Sequence, residues 1–76
     1  MLKYNRTVKN MNEIGKIIRD TRKKLGLDQK TLALYAGVST KFISELENGK
    51  ETVQMDKVIA VLAVFSYKLS VVSDRE

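Results

Sequence analysis

Between residues 28 and 50 the sequence gathers short hydrogen-bonding side chains and cations: Gln29 and Lys30, then Ser39, Thr40, Lys41, Ser44 and Glu45, then Asn48 and Lys50. Amides, hydroxyls and ammonium groups donate to electron-rich edges and to anions, and a carboxylate accepts from amines, so such a set recognises a polar surface without breaking a bond. Covalent chemistry needs other groups. The 76 residues include no histidine and no cysteine, which removes the commonest general base and zinc ligand, and with them disulfides and thiolate metal sites. We therefore expect no enzyme, no metal, no cofactor and no small-molecule substrate.

Two short helices around one glycine must position these groups. Leu32, Ala33 and Ala36 recur at helical spacing, and Phe42, Ile43 and Leu46 do so again after Gly37, Val38 and Ser39. Gly37 stands where a helix end turns left-handed, and Ser39 where a hydroxyl caps the next helix. Ala33 supplies the small side chain that two steeply crossing helices need. The pattern is a helix-turn-helix, with one helix from Gln29 to Ala36 capped by Asp28 and a second from Thr40 to Glu47.

The N-terminus of the first of these helices presents free backbone N–H groups to an anion, so Gln29, with Lys30 beside it, is expected to anchor a phosphate. Asp28 either repels that phosphate or turns away as a pure cap. In the second helix Phe42, Ile43 and Leu46 take an inner face, with the alternative that Phe42 is partly exposed against a sugar or a thymine methyl. That leaves Thr40, Lys41, Ser44 and Glu45 outward, where the N-terminal residues of a recognition helix reach base edges in a major groove. Lys41 suits guanine O6 and N7, Thr40 and Ser44 suit either kind of base, and Glu45 accepts from cytosine N4.

Charge points the same way. Residues 1–30 hold nine Lys or Arg against three Asp or Glu, a net of +6, while residues 31–76 hold five against six, a net of −1; together these make the formal +5. A basic half without catalytic groups suits a polyanion. The apolar run from Val58 to Phe65 is too short to span a bilayer, and the basic start MLKYNRTVKN has no apolar run behind it, so a cytoplasmic protein with no membrane partner is expected.

One domain is expected from a chain of this length. Residues 1–9, with Lys3, Arg6 and Lys9, read as a flexible basic arm, and residues 10–66 as the folded domain. Its first helix starts at Asn10, with Glu13 at capping-box spacing, carries Ile14, Ile17, Ile18, Thr21 and Leu25 as one apolar stripe, and ends at Gly26. A fourth helix begins near Met55 and reads VIAVLAVF, apolar on every face, so its second face should meet another molecule. Residues 67–73 alternate Tyr67, Leu69 and Val71 with Lys68, Ser70 and Val72, the pattern of a short strand. With no second strand in the chain, its simplest partner is the same strand of a second copy. Val61, Val64, Phe65, Tyr67, Leu69 and Val71 are the expected interface of that homodimer, which would set two recognition helices on half-sites one turn of DNA apart.

Residue by residue, the central stretch resembles the Xre and phage-repressor family of DNA-binding domains, whose motif reads roughly TQxxLAxxxGVSxxxISxxExG. Gln29, Leu32, Ala33, Gly37, Val38, Ser39, Ile43, Ser44, Glu47 and Gly49 fall in step, and Asp28 replaces the Thr. The likeness spans roughly residues 11 to 66. It implies an all-α, lambda-repressor-like fold of four helices and a pairing of Arg22 with Glu47 that ties the first helix to the recognition helix. It also implies phosphate contacts at Ser39 and along the turn Asn48, Gly49, Lys50. The Val- and Leu-rich fourth helix followed by a KLSV-like strand is similar to the HipB antitoxins, the DNA-binding partners of HipA-type Ser/Thr kinase toxins. That branch implies a homodimeric repressor binding double-stranded operator DNA in its own promoter and holding the toxin of a type II toxin–antitoxin system. The alternative is a stand-alone Xre-type regulator without a toxin.

Overall fold

The structure is a computed structural model that describes residues 6–73 and 75. Four helices follow one another: α1 (Met11–Lys24), α2 (Gln29–Ala36), α3 (Thr40–Glu47) and α4 (Met55–Val64). Side-chain caps fix the first three starts. Asn10 Oδ1 accepts from the Glu13 amide at 3.0 Å, Asp28 Oδ1 from Thr31 at 2.7 Å and Ser39 Oγ from Phe42 at 3.0 Å, each satisfying a donor that the helix leaves unpaired. Glu13 reaches back past Asn10 to the amide of Lys9, so the expected capping box closes one residue further out.

Each helix ends by folding its last carbonyls onto following amides. At α1 the amides of Gly26 and Leu27 bond to Lys23 and Arg22, both at 3.0 Å. After α2, Gly37 has φ +72° and the Val38 amide bonds to Ala33 at 3.0 Å, which makes the tight turn of the helix-turn-helix. The same closure follows α4, where Ser66 and Tyr67 donate to Ala63 and Leu62 at 3.0 and 2.9 Å. There the left-handed position, φ 61°, belongs to Ser66, a residue with a Cβ.

Ile14 and Ile18 of α1, Leu32 and Ala33 of α2, Ile43 and Leu46 of α3, and Val58, Val61 and Leu62 of α4 form one core. α2 packs on α3 and α4, and α1 packs on α3. The α1–α3 approach depends on Gly15. A Cβ there would press into the backbone carbonyl of Leu46 and lie 3.0 Å from that of Glu47, so α1 lies directly on the last turn of α3.

Several expectations need correction. Leu25 is 59% exposed, because α1 stops at Lys24 and the turn at Gly26 carries Leu25 outward; Arg22 takes the inner place instead. Val61 is wholly enclosed by its own chain, so it has no surface to offer a second copy. Val64, Phe65 and Tyr67 pack half-buried against the same core, and the Tyr67 hydroxyl lies 3.1 Å from Thr21 Oγ1. The large apolar side chains that α4 leaves exposed are Met55 at 46% and Ile59 at 49%. No strand occurs among the described residues of this single chain; Leu69, Val71 and Val72 are exposed and without regular secondary structure. Of the arm expected over residues 1–9, residues 1–5, including Lys3, fall outside the described residues, while Val8 packs against the core. No helix among the described residues is long and apolar enough to cross a membrane.

Candidate nucleic-acid interface

α3 is locked to the rest of the domain from its buried end. Glu47 closes α3 with its side chain only 3% exposed, and Arg22 of α1 meets it with 9% exposed. Arg22 Nε donates to Glu47 Oε2 at 2.7 Å and Nη2 to Oε1 at 3.0 Å, a two-pronged pair, while Nη1 donates to the Leu27 carbonyl at 2.8 Å. The carboxylate of Glu47 holds the guanidinium above its ordinary pKa, chiefly through this hydrogen bond and against the cost of burial.

A third donor completes the hub. Gln29 Nε2, on the first residue of α2, donates to Glu47 Oε1 at 3.1 Å. An amide nitrogen carries two hydrogens, so the second remains for an anion. Through Glu47, then, α1, the N-terminus of α2 and the C-terminus of α3 share one polar node. A shift at any of the three moves the others.

Outside that node Thr40 and Lys41 are exposed at the start of α3, while Ser44 and Glu45 are half-buried further along. Lys30, Ser39, Asn48 and Lys50 are exposed. The Ser39 oxygen is occupied as a helix cap, which leaves its O–H to donate. Glu45 and Lys50, assigned separate tasks in the sequence, are joined instead: Lys50 Nζ lies 3.2 Å from Glu45 Oε2. Both are partly exposed, so the pair is weak and salt-screened, and Lys50 can exchange it for a phosphate. Asp28 serves as the cap of α2, and the Thr31 hydroxyl and then the Thr31 amide hold its carboxyl below the usual range, with Lys30 adding to them.

Three features escaped the sequence reading. The Gln29–Glu47 bond joins residues 18 apart, a spacing with no local signature. Gly15 did carry a signal, since a glycine inside an apolar helical stripe is costly unless something packs against it. Lys57, from the first turn of α4, lies with its ammonium 5.8 Å from the centroid of the Phe42 ring. Phe42 itself is half-buried and packed against the core, between the two placements open to it from sequence.

Known proteins share this fold. The chain is 38% identical over 69 residues to an uncharacterised HTH-type transcriptional regulator, y4mF, of Sinorhizobium fredii, covering 91% of each. Among solved structures it is similar to a chain of a HipA–HipB–O2–O3 complex, with a TM-score of 0.81 at 15% identity over 93% of this chain and all of that one. A HipB–O1–O2 complex matches at 0.79 and 16%, over 91% of this chain and all of that one. At such identities these structures speak for the fold. Residues 18–72 match the Helix-turn-helix family model, and the chain belongs to that family, in its Xre-type branch with the fold of HipB.

Proposed function

We propose that this chain is a sequence-specific DNA-binding repressor that acts as a homodimer on operator DNA. Thr40, Lys41, Ser44 and Glu45 read base edges, while Gln29, Lys30, Ser39, Asn48 and Lys50 hold phosphates on either side. The observation that carries this reading is the buried Arg22–Glu47–Gln29 node. It ties the start of α2 to the last residue of α3, and α3 carries that register along its length to its base-facing start, as docking on a regular duplex requires. The fold shared with chains of a HipA–HipB–O2–O3 complex and a HipB–O1–O2 complex supports it.

In its finer form the proposal is an antitoxin of a type II toxin–antitoxin system. The dimer represses its own operon and binds a HipA-like Ser/Thr kinase toxin, catalysing nothing itself. Residues 67–73 pair with their copy across the dimer axis, with Leu69 and Val71 facing the partner. The y4mF relative is named as a regulator, which favours a second reading, a stand-alone Xre-type regulator without a toxin. A gel shift with the DNA upstream of the gene tests the shared part: a discrete complex that outlasts excess unrelated duplex supports it, and its absence contradicts it. Affinity capture from cells then separates the two readings by whether a kinase from the adjacent reading frame comes with the chain.

A further inference from the structure

The edge of the domain beyond α3 is short of positive charge. Lys50 is engaged with Glu45, and residues 51–54, Glu-Thr-Val-Gln, bring an acid and no cation. Lys57 is the next cation along the chain, exposed on the first turn of α4. It is in neither of the two salt bridges of the described residues. Its ammonium lies 5.8 Å from the centroid of the Phe42 ring, and Phe42 is the immediate neighbour of Lys41 on α3. The ring of Phe42, a residue of α3, therefore holds a charge from α4 against that helix. An ammonium on an aromatic face keeps its full charge and its N–H donors, and it has already given up part of the rotamer freedom that contact with an anion demands.

We infer that Lys57 is a further backbone-phosphate contact, pre-positioned beside α3 by the ring of Phe42. This rests on the DNA-binding reading above and adds a residue that the motif does not supply. Asp56, its neighbour, sits in the first turn of α4, where a carboxylate complements the helix dipole.

A phosphate contact is indifferent to sequence, so the test uses a mixed-sequence DNA duplex and fluorescence anisotropy over a series of salt concentrations. Lys57→Ala should make the slope of log affinity against log salt shallower by about 0.9 per bound protomer, and Lys57→Arg should keep the parent slope. Phe42→Leu, with Lys57 present, should weaken binding about two- to five-fold, and this loss should vanish when Lys57 is already Ala. Because Lys57 is exposed, Lys57→Ala should melt near the parent temperature. A Lys57→Ala slope equal to the parent's overturns the inference while leaving DNA binding standing. Failure of the parent chain to bind any duplex, even at low salt, removes both.

Discussion

Three donors converge on the enclosed side chain of Glu47, two from its ion-pair partner Arg22 and one from Gln29. Removing one partner of such a pair strands the other, whereas removing both with apolar replacements costs little. Arg22→Met is therefore expected to lose about 3–5 kcal/mol, and Arg22→Met with Glu47→Leu to regain most of it, as read from urea midpoints. Equal losses in the single and double variants would contradict the pairing. At the exposed end the two lysines should separate by kind. Lys41→Ala should cost about 1–3 kcal/mol of preference for the operator over unrelated DNA. Lys50→Ala should weaken both about equally and make the salt dependence shallower by about one unit. Competition binding against unrelated duplex distinguishes these outcomes, and identical behaviour of the two variants would show that Lys41 reads no base.

Asp28 adds a dependence on acid. Its folded pKa is depressed by Thr31, first through the hydroxyl and then through the amide, so its contribution is fully present above the unfolded carboxyl value and is lost as pH falls through the lower folded one. Asparagine caps a helix as well but carries no charge. The parent's stability advantage over Asp28→Asn should thus hold steady from about pH 8 to pH 6 and shrink from there toward about pH 2. Urea midpoints across that range check it, and an advantage that does not change with acid contradicts the account.

Among the elements, α2 and α3 were legible to the residue because their starts and the turn between them are written in single residues, Asp28, Gly37 and Ser39, whose chemistry acts locally. Leu25 was misplaced because periodicity continues past the point where a turn redirects the chain. Val61 was misplaced because an all-apolar helix has no polar face to mark which side turns inward, and only packing against α2 decides it. Of the residues that join the node at Glu47, Arg22 was paired with it by the family resemblance, whereas Gln29 stands in the motif but its bond to Glu47 shows only in the folded chain. The end of α4 carries an element-scale prediction of its own. Ser66 occupies a left-handed position that disfavours a Cβ by about 1 kcal/mol, so Ser66→Gly should stabilise the domain by about 0.5–1 kcal/mol and raise its melting temperature by about 2–8 °C. Calorimetry reads this directly, and a lower melting temperature contradicts it.

At the scale of the whole molecule, exposed large apolar side chains stand on both halves of the chain, Leu25, Leu34 and Tyr35 at the end of α1 and on α2, and Met55, Ile59, Leu69, Val71 and Val72 on α4 and beyond it. The groups proposed to meet DNA lie on α2, α3 and the turns around them. Those groups are confined to a short stretch, which makes the central claim local enough to observe. Backbone amide shifts recorded by NMR while the upstream operator duplex is titrated in test that claim most directly. The account predicts that the largest changes cluster at Gln29 and Lys30 and from Ser39 to Ser44, at the N-termini of α2 and α3. Changes confined to α1 and α4, with those two clusters silent, would contradict it.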